Sequence, residues 1–317
     1  MLPVTVITGF LGSGKTTLIN HLVRDPAMAN TAVLVNEFGE IGLDHLLVEH
    51  VDAATILVGA GCLCCEVRGE LVVGIKALQQ RVLAGELPAF NHLLIETTGL
   101  ADPAPVLHTL LSDDSLKQSC RVAGVVTVVD ALHGQEHLSR HSEALHQITA
   151  ADRLVLTKTD LASAQDLQTL QKRLADLNPG ARLLAGTIDG ADLLAAESAL
   201  PDRWLHAVST DHSHDPSIGS VSLETPVPLE THRVIAWIEQ LMAQCGDQLL
   251  RFKGVMNLAG ADAPVAVHGV QHVFHPLERL AGWGNDNRTT RLVLIGHDLP
   301  ESILRESFAA LVERCRH

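Results

Sequence analysis

Through the first two-thirds of the chain, short β-branched runs alternate with longer stretches of helical periodicity. Val4–Thr8, Thr31–Asn36, Thr55–Val58, His92–Glu96, Arg121–Asp130, Arg153–Thr157 and Arg182–Ala185 read as strands. Between them, Lys15–Arg24, Cys65–Ala84, Pro103–Ser112, Glu143–Ala150, Ala162–Leu177 and Ala191–Ala196 read as helices. Runs such as Val125-Val126-Thr127-Val128-Val129 are apolar at successive positions, as expected of strands covered on both faces. The pattern predicts an α/β fold: a mostly parallel sheet wrapped by helices.

The pattern changes near His206. Ser209-Thr210-Asp211-His212-Ser213-His214-Asp215-Pro216 is polar and turn-rich, and residues 206–219 read as a linker between a domain at 1–205 and a smaller one at 220–317. In the second domain a strand at Ser220–Glu224 precedes a helix at Leu229–Gln244, whose apolar positions are Val234, Ile235, Ile238, Leu241 and Met242. Strands near Leu249–Leu258, Pro264–Val270, His272–Pro276 and Thr290–Gly296 follow, then a helix from Pro300 to Arg316. This is a small α+β unit.

Composition narrows the function classes. The chain has 317 residues, 46% of them hydrophobic, enough for two cores. No apolar run approaches the ~20 residues that cross a bilayer, and Met1-Leu2-Pro3 leads directly into the first strand, so a cytoplasmic protein with reduced thiols is expected. A net charge of −14, aromatics at 3% and no tyrosine argue against a nucleic-acid surface; without a long apolar run, no membrane partner is expected either.

The most informative chemistry lies at Gly9-Phe10-Leu11-Gly12-Ser13-Gly14-Lys15-Thr16, between a buried strand and the helix start at Thr17-Leu18-Ile19. Glycines at 9, 12 and 14 let successive N–H groups converge on one phosphate, and the helix N-terminus adds its positive end. Lys15 is spaced to reach the β- and γ-phosphates, and the Thr16 hydroxyl to ligate magnesium. The expected nucleotide cradle is therefore Gly9, Gly12, Ser13, Gly14, Lys15, Thr16 and Thr17.

Two further strand ends complete this site. His92-Leu93-Leu94-Ile95-Glu96-Thr97-Thr98-Gly99 ends a buried strand in a carboxylate, with a glycine three residues on. Glu96 is expected to serve magnesium, through a water because its side chain is long, and the Gly99 N–H to sense the γ-phosphate. Thr157-Lys158-Thr159-Asp160 ends another strand. There Asp160 can accept hydrogen bonds from guanine N1–H and N2–H, which adenine cannot supply, while Lys158 covers the purine. A threonine at 157, where asparagine is common in GTPases, is expected to weaken a tie to the phosphate loop more than the choice of guanine.

Gly61-Cys62-Leu63-Cys64-Cys65 holds three of the six cysteines. At this density in a reduced compartment, thiolates favour zinc or copper(I), and three of them leave a tetrahedral zinc one ligand short. Glu37 and Glu40 are candidates for the fourth. Cys120, Cys245 and Cys315 are isolated and read as inert thiols. His212 and His214 read as part of a solvated linker, and His268, His272 and His275 as residues of an open strand face.

Taken in order, Gly9–Thr17, Asn36-Glu37-Phe38-Gly39-Glu40, Gly61–Cys65, Glu96–Gly99 and Thr157–Asp160 resemble the CobW-type metallochaperone GTPases, which include the YjiA-like proteins. Leu250-Arg251-Phe252-Lys253-Gly254, His268-Gly269-Val270-Gln271 and Trp283 resemble that family's C-terminal domain. The resemblance implies a P-loop GTPase domain followed by a CobW-like domain. It also implies hydrolysis of GTP to GDP and phosphate, with Lys15, Thr16, Glu96 and Gly99 in catalytic roles; no residue stands out as an arginine finger or a water-orienting glutamine, so slow intrinsic turnover is expected. Zinc would sit on Cys62, Cys64 and Cys65 and pass to a client metalloenzyme, with Asn36 to Glu40 matching a switch-like loop near the γ-phosphate; cobalt or nickel are alternative cargoes. A homodimer dependent on nucleotide or metal is a further implication. The family's cobalamin-synthesis and nitrile-hydratase branches handle cobalt, and the short histidine tract here speaks against the first.

Two rivals stay open at this stage. A P-loop small-molecule kinase would release ADP only with an acceptor, and Lys158 with Asp160 speak against it. A thiol redox sensor regulated by nucleotide would form a reversible disulfide and hold no stoichiometric metal.

Overall fold

The computed structural model describes residues 1–36, 48–50, 55–60, 67–186, 188–194, 218–283 and 288–316. The chain forms two compact units, one of Met1–Lys172 with Ala181–Ala199, the other of Arg173–Gly180 with Leu200–His317.

The first unit opens with β1 (Leu2–Thr8), the glycine loop and α1 (Lys15–Leu22), then β2 (Thr31–Asn36), β3 (Val48–His50), β4 (Thr55–Ala60) and α2 (Val67–Leu83). It continues with β5 (His92–Glu96), α3 (Ala104–Ser112), α4 (Leu116–Ser119), β6 (Cys120–Asp130), α5 (Gly134–Arg140) and α6 (Ser142–Ala150). Strand β7 (Arg153–Thr157), α7 (Ala164–Leu177, of this unit as far as Lys172), β8 (Arg182–Ala185) and α8 (Gly190–Leu194) follow. The eight strands form one sheet in the order β3-β4-β2-β5-β1-β6-β7-β8. All pairs are parallel except the edge pair β3–β4. The short antiparallel β3 and the helix α5 are not legible in the sequence pattern. Helix α5 spans only seven residues and buries Gly134 and Leu138 alone, too few positions to establish a period.

Strand β1 lies between β5 and β6, so the chain leaves β1 where connections run to both sides of the sheet. In open α/β sheets this is where the carboxyl ends of strands leave a crevice for ligands. Leu18, Ile19 and Leu22 of α1 pack on Ile7, Val33, Leu94, Val126, Val128 and Val155 of the sheet, anchoring the helix that starts at the glycine loop. That burial sets the loop's position rigidly against β1.

The second unit holds β9 (Ile218–Thr225), α9 (Thr231–Cys245), β10 (Leu249–Met256), β11 (Val265–Val270), β12 (Val273–Phe274), β13 (Glu278–Arg279), β14 (Thr290–His297) and α10 (Glu301–Arg314). Its strands run β12-β11-β10-β14-β9, antiparallel throughout, with β13 beside β11. Strand β9 begins at Ile218, inside the segment read from sequence as linker; residues 195–217 lie outside the described residues, and His212 and His214 with them. On α9 the buried stripe is Val234, Trp237, Leu241 and Cys245, whereas Ile235, expected in the core, is 46% exposed. The stripe turns toward Trp237 because its ring packs 6.1 Å from Phe252 and 5.5 Å from Phe308. Aromatic area of that size outweighs one isoleucine.

Candidate functional site

The carboxyl ends of β1, β5, β6 and β7 gather the polar side chains of the first unit. Gly9, Gly12 and Gly14 all have positive φ (143°, 70° and 96°), a conformation that side-chain-bearing residues adopt only under strain. At Gly9 a Cβ would also sit on the Val128 carbonyl oxygen. The glycines therefore allow the loop to curl against β6 and deliver the chain to α1.

Lys15 is 9% exposed, and its Nζ donates to the carbonyls of Gly9 at 2.8 Å and Phe10 at 3.2 Å. Burial lowers its pKa, and the negative field of Glu96 works against that shift. The ammonium thus lies folded over the loop. The Thr16 hydroxyl donates to Glu96 Oε1 at 2.9 Å, and Glu96 ends β5 at 5% exposure. Hydroxyl and carboxylate oxygens side by side are the hard donor set that fits magnesium. Thr17 is exposed beside them, and Ser13 is buried in the loop.

The segment after β5 lies against the glycine loop. A Cβ on Gly99 would come within 2.7 Å of the Leu11 N, so only glycine fits there. The Thr97 N–H donates to the Ile7 carbonyl at 2.9 Å, and its hydroxyl to Thr8 Oγ1 at 2.8 Å.

On the opposite flank, Lys158 has a left-handed backbone (φ 55°), and its Nζ reaches the Gly12 carbonyl at 2.8 Å and Asp130 Oδ2 at 2.7 Å. The Thr157 hydroxyl donates to the Ser13 carbonyl at 2.6 Å. This corrects the expectation that threonine weakens the tie to the phosphate loop. The hydroxyl is short, but β7 brings it close enough to bond directly, and its methyl packs 3.5 Å from where a Gly14 Cβ would be. Asp160 follows, exposed at the start of the next turn.

No motif spacing singles out Asp130. It ends β6 at 2% exposure and accepts from the backbone N–H of Leu132 (2.8 Å) and His133 (3.3 Å), from His133 Nδ1 (3.0 Å) and from Lys158. Burial alone would raise its pKa; the hydrogen bonds from Lys158, His133 and the two N–H groups outweigh it and hold the value at about 2. The available signal was a carboxylate closing an apolar strand, as at Glu96. The Phe10 ring stacks 4.5 Å from His141, just past α5, and lies tilted 4.6 Å from His137 on α5, so this stretch braces the glycine loop.

Cys62, Cys64, Cys65, Glu37 and Glu40 lie outside the described residues. The strands before them are described, however. Asn36 at the end of β2 pairs with Ala60 at the end of β4, and Val35 pairs with Glu96. In the second unit the rings of His268 and His275 lie 5.9 Å apart across a hairpin, and His272 is exposed at its turn. Among the described residues, no group of three or more His, Cys, Asp or Glu side chains is arranged to hold a metal, and no helix is long and apolar enough to cross a membrane.

Residues 3–185 match the family model described as CobW/HypB/UreG, nucleotide-binding domain. The chain belongs to the CobW/HypB/UreG family. Residues 218–312 of this family member match the cobalamin synthesis protein cobW C-terminal domain. The chain is 32% identical over 317 residues to the zinc chaperone YjiA of Escherichia coli K12, covering 97% of this chain and 98% of that protein. It is 36% identical over 197 residues to the zinc-regulated GTPase metalloprotein activator 1 of Schizosaccharomyces pombe, covering 60% of this chain and 47% of that one. Among solved structures, Zn(II)-bound YjiA GTPase from E. coli superposes with a TM-score of 0.75 at 31% identity, over 98% of both chains. The α/β domain with a mostly parallel sheet and the smaller α+β domain are the architecture read from the sequence.

Asp160 offers a clean test of base choice. Because it is exposed and closes no core, Asp160→Ala is expected to lower GDP affinity tenfold or more, at ~1.4 kcal/mol per tenfold. The nucleotide-free thermal midpoint should stay within about 1 °C, since exposed positions cost little. Titration with fluorescent GDP beside a melting curve checks both; unchanged affinity would remove Asp160 from the site.

Proposed function

We propose that this family member is a GTP-hydrolysing zinc chaperone. Zinc is held at Cys62, Cys64 and Cys65, with Glu37 as fourth ligand, and passed to a client metalloprotein. The observation that carries this reading is the register at the sheet end: Asn36 pairs with Ala60 and Val35 with Glu96. The two chain segments bearing the proposed zinc ligands therefore start side by side, next to the carboxylate that faces the phosphate loop. A nucleotide that orders one neighbourhood can bias the other. The zinc-chaperone and zinc-regulated relatives support the choice of metal.

In this reading the loop N–H groups from Gly12 to Thr16 cradle the phosphates, and Lys15 leaves the Gly9 and Phe10 carbonyls to neutralise the γ-phosphate. Thr16 and Glu96 would hold magnesium, which when bound offsets the charge of the phosphates. Gly99 offers its N–H to the γ-phosphate. Asp160 reads guanine, and Lys158 ties the base-reading turn both to the Gly12 carbonyl and to Asp130 of β6. Hydrolysis releases the segments after β2 and β4, lowers zinc affinity and permits transfer.

Coupling between the sites must be reciprocal, so zinc also changes nucleotide affinity by the same factor. The test is zinc titration of the reduced protein in GTP-analogue and GDP states, beside the Cys62→Ala, Cys64→Ala, Cys65→Ala triple variant. One zinc equivalent is expected in the wild type, bound about tenfold more tightly with the GTP analogue, a coupling in the usual range. Equal affinity in both states, or an equivalent retained by the variant at the same affinity, would sink the proposal.

A further inference from the structure

The segment from Gly99 to Asp102 is held by one face of α6. The Gln147 side chain, 1% exposed, donates through Nε2 to the carbonyls of Gly99 at 3.1 Å and Ala101 at 3.0 Å. These bonds bridge residues 48 and 46 apart in sequence. The next residue back, His146, places Nδ1 3.2 Å from Asp102 Oδ2, and Asp102 Oδ1 accepts from the Ala104 N–H at 2.9 Å at the start of α3. Helix α6 is itself pinned to the sheet, where the Thr127 hydroxyl of β6 donates to the Gln147 carbonyl at 2.7 Å. On its other side the same segment meets Leu11 of the phosphate loop at Gly99.

We propose that Gln147 and His146 are positioning residues that latch the Gly99–Asp102 segment against the phosphate loop, so that the Gly99 N–H stands ready for a γ-phosphate. Both residues act through groups of the segment, Gln147 through the Gly99 and Ala101 carbonyls and His146 through the Asp102 carboxylate, and not through the nucleotide itself. A segment ordered in advance costs a triphosphate less to engage, and a diphosphate gains nothing from it. The latch therefore raises affinity for GTP relative to GDP. The inference rests on the guanine-nucleotide reading above.

His146 makes the latch sensitive to protons. The hydrogen bond to Asp102 raises its pKa, burial opposes the rise, and the negative fields of Asp102 and Glu143 add to it. Asp102 on the segment and Glu143 one turn earlier on α6 are charged groups that face it. Below its pKa the ion pair is formed; as pH rises through that value the imidazole loses its charge and only its hydrogen bond to the carboxylate is left.

The test compares affinities for a non-hydrolysable GTP analogue and for GDP, with GTP turnover, in wild type, Gln147→Leu and His146→Gln. Gln147→Leu removes two hydrogen bonds, one from the buried Gly99 carbonyl and one from the half-buried Ala101 carbonyl. It is expected to lower the GTP-analogue-to-GDP affinity ratio about tenfold, with GDP affinity within twofold. His146→Gln, at a position about a quarter exposed, keeps a hydrogen-bond donor without a titrating charge and guards against a folding defect in the leucine variant. Between pH 6 and 8.5 the wild-type ratio should fall about two- to fivefold more than that of His146→Gln, the range of a partly exposed ion pair. Comparing the two proteins cancels the titration of the nucleotide itself. An unchanged ratio in both variants, an equal loss for both nucleotides, or a ratio that rises overturns the latch. A wild type that binds no guanine nucleotide overturns the reading of the site and the latch together.

Discussion

Replacing Lys15 with alanine is expected to lower kcat/KM for GTP by about 10²–10³-fold, the usual cost of deleting a preorganised charge at a transition state. The fold should barely notice. Lys15 sits at 9% exposure with its Nζ on two loop carbonyls, so its charge is desolvated and its pKa lowered by burial. Removing it gives up two charge-assisted hydrogen bonds and relieves the burial of a cation, terms of opposite sign and similar size. The thermal midpoint without nucleotide should therefore move by less than about 3 °C, which is about 1 kcal/mol for a domain of this size. Saturating nucleotide at 100 times Kd stabilises a binding-competent protein by about 2.7 kcal/mol, and the variant should lose that increment at the same concentration. Melting curves with and without GTP, run beside a phosphate-release assay, read both effects. A large drop in midpoint without nucleotide would show that Lys15 chiefly supports the loop, and preserved turnover would remove it from the chemistry.

The second large effect is expected at Asp130, and it should fall on binding and stability together. Asparagine can still accept from the Leu132 and His133 N–H groups, but its amide turns donors toward Lys158 and His133. The link from β6 through Lys158 to Gly12 is then lost, and GDP affinity should fall at least tenfold although Asp130 does not face the base. The stability cost can be bounded from linkage. A carboxyl held at about 2, against an ordinary value near 4, contributes about 2 kcal/mol at neutral pH. Because the folded pKa is the lower one, that contribution is complete above about pH 4 and vanishes as pH falls toward 2. Urea denaturation of wild type and Asp130→Asn should thus differ most at pH 7 and converge in acid. A gap that persists unchanged at pH 2 would place its origin in packing rather than in the carboxylate.

Both effects depend on how the ends of β1, β5, β6 and β7 meet, and the sequence discloses those ends unequally. The phosphate loop is legible because its requirement is local: three glycines, a lysine and a threonine at fixed spacing between an apolar strand and a helix. Glu96 is legible for a similar reason, as a carboxylate closing a buried run three residues before a glycine. Lys158 and Asp160 stand at the end of another apolar strand. Strand and helix alternation likewise reports the α/β class, since a strand covered on both faces must be apolar at consecutive positions.

The sequence by itself thus determined the fold class, the family likeness and the residues whose chemistry is spelled out within a few positions. Tertiary structure decided which residues support them. Asp130 meets Lys158 across 28 residues, and Gln147 meets Gly99 across 48, separations over which no periodic signal extends. It also decided that Thr157 keeps its hold on Ser13, because a distance of 2.6 Å depends on how β7 packs beside β6 and not on which polar side chain the motif usually carries. On α9 it turned the buried stripe from Ile235 to Trp237, because the facing Phe252 and Phe308 belong to elements far along the chain. Local spacing encodes what a loop can bind; only the packing of distant segments sets how firmly that loop is held.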